Sequence, residues 1–476
     1  MKPRNLLVIM ADEHSRKMLG CYGHPLVKTP NLDALAERGT RFTNAYTPSP
    51  LCVPARSAFA TGKPVREIRA WDNAHAYDGA IESWHHRLRA EGHHVRSIGK
   101  LHFRGHESDD NGFSESEVPM NIVGGVGDAI GLIRDRNIAR GAADKMAGLA
   151  GPGESVYTAY DRDISRRAQN WLRNEVGSHG NKPWVLFVSL VCPHFPLTAP
   201  AEYYERYADA DIPMPKLYAQ GERPHHPYLA DYAATFAYDT HFKTEEDVKR
   251  AIRGYMALCS FIDDQVGQIL QALEDAGLGE ETRIIYSSDH GDNLGARGLW
   301  GKSTMYEESV GIPLIVAGPE VEEGAVNDKL RCLTDVSRFI LQSTGGNADG
   351  FGRVDLLSPE EAPVISEYHG TGSRSAAFML RSGRWKYVHY AKYDAQLFDL
   401  QDDPEELQDL ADWPEFAQVR ETLRKQLLTM LDPKAVHEQA MADQRQRIEE
   451  LGGANAILAR GDYGFSPPPG VQASFS

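Results

Sequence analysis

Short runs of apolar residues alternate along the chain with stretches whose apolar positions recur at helical spacing. Residues 6–10 (LLVIM), 95–98 (VRSI), 185–191 (VLFVSLV), 283–287 (RIIYS) and 313–317 (PLIVA) read as strands buried on both faces. Thr29 and Pro30 announce a helix over 31–37, with threonine as the cap and proline at the first helical position. The segment Glu245–Asp275 keeps helical periodicity throughout. Strands alternating with helices predict an α/β fold: a large, mostly parallel sheet sandwiched by helices.

Beyond about residue 357 the pattern changes. Val364–Tyr368, 376–381, 384–390 and 396–400 are short runs separated by turn residues such as Ser382-Gly383. They predict a small antiparallel sheet, joined by a helix over 415–431. From Pro433 a single charged helix runs into Gly-rich sequence and Ser-Pro-Pro-Pro-Gly, with too few apolar residues for a core of its own. The expected organisation is a large α/β domain over 1–357, a smaller C-terminal α+β domain over 358–433, and a helix and tail over 434–476. That last segment could reach a partner subunit, in a homodimer or homotetramer.

The 476 residues, 41% hydrophobic and 25% charged, suffice for one large core and a smaller second one. A formal net charge of -16 excludes non-specific nucleic-acid binding, which needs cations to neutralise phosphates. An anionic substrate must therefore be held by a local cluster of cations and metal. Met1-Lys2-Pro3-Arg4 leads into an apolar stretch too short for a signal-peptide core, and no run approaches the ~18 apolar residues of a membrane span. A cytoplasmic protein without membrane contact is expected. The five cysteines include no CxxC pair, which argues against a disulfide framework or a cysteine-zinc site. Four of them read as small buried apolar residues; Cys52 is the exception.

In open α/β sheets, ligands gather at the carboxyl ends of strands. Four predicted strands end in polar residues: Asp12-Glu13, Asp289-His290-Gly291-Asp292, Cys192-Pro193-His194, and Gly99-Lys100-Leu101-His102. The carboxylates of Asp12, Glu13 and Asp289 with the imidazole of His290 form a candidate site for a divalent cation. Each pair alone is as well read as a helix cap or a surface turn. His102, two residues from Lys100, faces the same pocket if the segment stays extended. The strongest signal is Cys52-Val53-Pro54-Ala55-Arg56. A cysteine at a helix start with an arginine one turn on sits in an electropositive place that favours an anionic nucleophile.

This Cys-x-Pro-x-Arg signature resembles that of the sulfatases within the alkaline phosphatase superfamily. The order and spacing of Asp12, Lys100, His102, His194, Asp289, His290 and Lys302 match that family over about the first 300 residues. Trp71-Asp72-Asn73-Ala74 and Gly298-Leu299-Trp300-Gly301-Lys302 look most like the choline-sulfatase and phosphonate monoester hydrolase branch. Ser366-Glu367-Tyr368-His369-Gly370 helps carry the likeness to about residue 410. The resemblance implies that a maturation enzyme converts Cys52 to formylglycine. It implies one divalent metal ion on Asp12, Glu13, Cys52, Asp289 and His290, with manganese the first choice and calcium or magnesium next. Glu13 stands where the family usually has Asp or Gln.

By the same resemblance, Arg56 holds the hydrated aldehyde, and Lys100, Lys302, Asn73 and His194 bind the ester group. His194 with Lys302 protonates the leaving alcohol, and His102 removes the proton whose loss expels sulfate. The implied reaction is hydrolysis of small sulfate monoesters to an alcohol and inorganic sulfate. Hydrolysis of phosphonate monoesters or phosphodiesters by the same site is the alternative, and a non-catalytic metal-binding protein with unmodified Cys52 is a third reading. Pocket walls are expected from 105–150, 200–245 and 366–375. Residues 119–149 contain no aromatic side chain, so no aromatic face for a quaternary ammonium is expected there and choline sulfate is not the expected substrate.

Overall fold

A computed structural model describes residues 1–178 and 182–475. Its central sheet has eight strands: β1 (Asn5–Asp12), β2 (Gly39–Phe42), β3 (Val95–Lys100), β4 (Glu115–Met120), β5 (Val185–Pro193), β6 (Thr282–Ser288), β7 (Leu314–Ala317) and β8 (Ala325–Asn327). Their spatial order is β8-β2-β7-β6-β1-β5-β3-β4. From β6 to β4 all neighbours are parallel, whereas β7 runs antiparallel to both β6 and β2. The expected mostly parallel sheet is therefore present, with one reversed strand. The strands that the apolar pattern does not mark, β2, β4 and β8, lie at or next to the sheet edges. β4 (ESEVPM) is mostly exposed or half-buried, and an edge strand needs no continuous apolar run.

Helices cover both faces because successive side chains of a strand point to opposite sides. Leu7, Ile9 and Ala11 of β1 join the core beneath the helices Val156–Asn174 and Glu245–Asp275. Leu6, Val8 and Met10 join the opposite core, with Phe59 and the helix Leu333–Thr344. The long helix is started by a reciprocal cap: Thr244 Oγ accepts the Asp247 N–H at 3.1 Å, and Asp247 Oδ2 accepts the Thr244 N–H at 2.9 Å. Thr29 does not cap the helix Pro30–Glu37 as expected. Asp263 of the long helix accepts the Asn31 and Leu32 N–H groups at 3.1 and 2.8 Å, a long-range partner that local sequence cannot reveal.

The C-terminal sheet is antiparallel, with Val364–Tyr368, Ala377–Ser382, Trp385–Tyr390 and Gln396–Asp399 in chain order. Leu423 and Leu427 of the helix Ala417–Met430 cover one face; Met379 and Val388 on the other pack against Tyr228 and Tyr306 of the large unit. The segment from Pro433, expected as one helix, forms two, Pro433–Glu450 and Ala454–Arg460, broken at Gly452-Gly453. Both pack on their own chain: Trp71 Nε1 donates to Asp443 Oδ2 at 2.8 Å, Gln444 Nε2 donates to Asp72 Oδ2 and the His369 carbonyl at 2.7 Å each, and Ile457 joins a cluster with Ala74 and Ile130. Among the described residues no helix is long and apolar enough to cross a membrane.

Candidate active site

The four strand ends singled out in the sequence belong to β6, β1, β5 and β3, which are consecutive and parallel in the sheet. Ala11 is level with Ser288, and Asp12 with Pro193, so their polar tails emerge at one height. The helix Cys52–Thr61 aims its N-terminus at this point. Pro54 fits its first turn, where no intrahelical N–H bond is required, and the Val53 N–H is taken by Asn73 Oδ1 at 3.1 Å. With its carbonyl committed, Asn73 has its amine left to donate.

Asp12, Glu13, Cys52, Arg56, Lys100, His102, His194, Asp289 and His290 are all buried. Arg56 Nε donates to Asp289 Oδ2 at 2.7 Å, and its Nη1 donates to the Lys100 carbonyl and Ser189 Oγ at 3.0 and 2.8 Å. Its Nη2, 3.6 Å from Asp12 Oδ2, has no hydrogen-bond acceptor. Lys100 pairs with Asp12. Lys302 Nζ lies 2.9 Å from Glu13 Oε2 and 3.3 Å from Cys52 Sγ. Burial works against charge on Asp12, but Lys100, His194 and Arg56 hold its carboxyl well below the usual range. Burial likewise opposes the Lys302 charge, and Cys52 and Glu13 hold that amine well above its usual value. Glu13 is raised by burial, with Lys302 opposing.

Ligand atoms of Asp12, Cys52, Asp289 and His290 all lie within 4.8 Å of one another. The Gly291 carbonyl, 3.1 Å from His290 Nδ1, can only accept, so Nδ1 carries the hydrogen. His290 Nε2 then presents a lone pair toward Cys52 Sγ at 3.1 Å, Asp12 Oδ1 at 3.6 Å and Asp289 Oδ1 at 3.7 Å. That donor set suits a divalent cation. Glu13 shares a second such group with Asp12 and His194, and its Oε1 is buried without a hydrogen-bond partner. Three carboxylates (Asp12, Glu13, Asp289) pair with three cations (Arg56, Lys100, Lys302) and a fourth, Asp292, lies beside Glu13, so a divalent ion would supply positive charge that an anionic ester requires.

One expectation is corrected. The helix start does not stabilise a thiolate: burial, with Asp12 next, pushes the Cys52 thiol up to about 11 against the pull of Lys302 and Lys100.

His102 does not continue the strand; its φ of 55° is left-handed, yet it still lines the pocket with Lys100. Walls come from the expected segments, through Asp128 and Arg140, Tyr232, Phe236 and Tyr238, and Thr371. Aromatic faces, absent from 119–149, are supplied instead by Tyr157, Phe195 and the Tyr232–Tyr238 region. A fourth wall, Tyr463 to Ser466, was not anticipated. Tyr463 and Phe465, aromatic residues in a tail rich in Gly, Pro and Ser, were the available signal, since solvent-exposed tails gain nothing from them. Arg140 clamps the tail by bridging Asp128 at 2.9 Å and Asp462 at 2.8 Å. His225 and His226 do not line this pocket; His226 caps the helix Pro227–Thr235.

Comparisons with known proteins agree with this geometry. The Sulfatase family model matches residues 4–346, and the model for the C-terminal part of N-sulphoglucosamine sulphohydrolase matches 295–432. The chain is 32% identical over 424 residues to the choline-sulfatase of Rhizobium meliloti (strain 1021), covering 86% of this chain and 83% of that protein. It is 28% identical over 445 residues to arylsulfatase K of Homo sapiens, covering 86% and 79%. The phosphonate monoester hydrolase of Agrobacterium radiobacter shares the fold, with a TM-score of 0.72 at 23% identity over 92% of this chain and 96% of that one. The protein belongs to the sulfatase family. It is a hydrolase of sulfuric esters.

Proposed function

We propose that the protein hydrolyses small sulfate monoesters by S–O cleavage, using formylglycine made from Cys52 and one divalent metal ion. The observation that carries this reading is the position of Cys52: buried at a helix N-terminus, among Asp12, Asp289 and His290, with Lys302 at 3.3 Å, and neutral as a thiol. A neutral thiol is a poor nucleophile, whereas a hydrated aldehyde offers one hydroxyl to attack sulfur and a second for later release. Asp12, Asp289, His290 and residue 52 would hold the metal, with Glu13 at its edge; when bound it supplies Lewis acidity toward the ester oxygens. The His290 ligand favours manganese over calcium.

Arg56 fixes Asp289 and keeps its Nη2 without an acceptor, 3.6 Å from Asp12 Oδ2, so its charge is available to anionic character on the neighbouring residue 52. Lys100, Lys302 and the Asn73 amine donate to the non-bridging oxygens. His194 Nδ1 donates to the Phe195 carbonyl at 2.6 Å, which leaves Nε2 on the pocket side, 3.3 Å from Glu13 Oε2. Burial, then Lys302, keeps His194 neutral, so Lys302 is the better-charged member of the pair that delivers a proton to the departing alcohol. His102 is also kept neutral by burial and Lys100, as a base for the second hydroxyl must be.

The leaving group meets aromatic faces and Asp128, whose carboxylate pairs with Arg140 at the pocket wall. The faces of Tyr157, Phe195 and the Tyr232–Tyr238 region suit an alcohol with apolar or cationic character. Choline sulfate, the substrate class named in the Rhizobium relative, is therefore worth direct trial. The deciding experiment is steady-state hydrolysis by enzyme co-expressed with a formylglycine-generating enzyme, on nitrophenyl sulfate, phenylphosphonate monoester and phosphodiester. A dominant sulfate rate is expected. A dominant phosphonate or diester rate would reassign the chemistry, and a residue-52 peptide that stays a thiol in the native host would argue for a non-catalytic role.

A further inference from the structure

The C-terminal tail enters the catalytic pocket of its own chain, and we propose that Ser466 is a positioning residue for His102, fixing the tautomer in which Nε2 carries the hydrogen and Nδ1 is the base. This rests on the reading of His102 as the base of the release step.

The His102 ring is buried, and its backbone is pinned in the left-handed region by an N–H bond to the Met120 carbonyl at 2.8 Å. Ser466 Oγ lies 3.0 Å from His102 Nε2. His102 Nδ1 is buried and has no hydrogen-bond partner among the described residues. A neutral imidazole has one donor and one acceptor nitrogen, so whichever role Ser466 takes determines the other. Tyr463 stands beside the Ser466 side chain, and with the Ser466 oxygen accepting from Nε2–H the buried Nδ1 keeps a lone pair rather than an unmet N–H, the less costly of the two arrangements. The Ser466 carbonyl accepts from the Tyr157 hydroxyl at 2.6 Å. Phe465 packs against Tyr157 with centroids 5.4 Å apart, and Arg140 holds Asp462. Four contacts along five residues thus set the serine against the ring.

In the release step, His102 Nδ1 takes the proton of the free hydroxyl on the carbon of residue 52. That oxygen's electrons form the carbonyl, the carbon–oxygen bond to sulfate breaks, and sulfate leaves with the bonding pair. Sulfate transfer to residue 52 precedes this step and does not need it, so loss of Ser466 should act on release alone.

The test uses Ser466→Ala, Ser466→Thr and His102→Ala in full-length enzyme carrying formylglycine. Ser466→Ala should lower kcat by about five- to tenfold, the worth of one hydrogen bond to the base. KM should fall with it, kcat/KM should stay unchanged, and a covalent sulfate on residue 52 should accumulate in intact-mass spectra. Ser466→Thr, which keeps the hydroxyl, should recover kcat and abolish the accumulation. Independently of turnover, 15N-histidine spectra of the protein with unmodified Cys52 should assign the Nε2–H tautomer to His102 and lose that assignment in Ser466→Ala. A kcat within twofold of wild type, or a lower kcat/KM with no covalent sulfate, would overturn the proposal. If His102→Ala accumulates covalent sulfate while Ser466→Ala does not, only the serine assignment fails; if His102→Ala accumulates none, the role of His102 fails and takes the inference with it.

Discussion

Asp161 offers a quantitative test of how the pocket is supported from behind. It lies fully buried on the helix Val156–Asn174 and accepts the N–H groups of Val191 and Cys192 at 2.8 and 2.7 Å, at the end of the strand that delivers His194. Asp161→Ala leaves two buried donors unmet, at about 1–3 kcal/mol each, for a loss of about 3 kcal/mol after some water entry. A 476-residue chain unfolds with an entropy of about 1 kcal/mol/K, so the melting temperature should fall by about 3 °C at pH 6. Burial raises the Asp161 carboxyl to about 7, against the two N–H donors. Its native pKa exceeds its unfolded value of 3.8, so the native state binds more protons between the two. That contribution is complete below about pH 4 and is lost as pH rises through about 7, by up to about 4 kcal/mol. Asp161→Asn carries no such slope and can accept only one of the two N–H groups. Its melting deficit relative to wild type should therefore be larger at pH 5 than at pH 8, as read by scanning calorimetry. A deficit that is constant or grows between those pH values would refute the reasoning, as would an Asp161→Ala protein as stable as wild type.

Other consequences are open to direct measurement. Lys302→Ala removes a cation 3.3 Å from residue 52 and should lower kcat/KM for a sulfate ester by about 10²–10³-fold, the cost of a donor to developing charge. Chelation should abolish hydrolysis and lower the melting temperature by about 3 °C, with manganese restoring both; a metal present at 100 times its dissociation constant contributes about 2.7 kcal/mol. His290→Asn should move the restoring ion from manganese toward calcium, measured by titrating each into chelated enzyme. Asp462→Asn weakens the Arg140 clamp and should speed trypsin cleavage after Arg460 by about tenfold; unchanged cleavage would mean the tail is held by other contacts.

Much of the candidate site was legible in the sequence because many of its members follow strand ends, where local pattern and chemistry coincide. Asp12, Lys100, His194 and Asp289 could be proposed as one site once four strands were read as parallel, and Cys52 with Arg56 followed from helix geometry. Residues whose role depends on a distant partner were not legible. Asp263 caps a helix more than two hundred residues away, and Asp161 anchors a strand end thirty residues on. Arg140 gains its meaning only from Asp462. The thiol of Cys52 looked activated from its helix position, and only the enclosing burial and the neighbouring Asp12 reversed that. Ser466 stands in a tail whose composition suggests fraying; docking against Tyr157 and His102 makes it part of the pocket. Periodicity and strand-end chemistry are written in neighbouring residues, whereas desolvation, charge compensation and the path of a tail depend on what the fold places beside them.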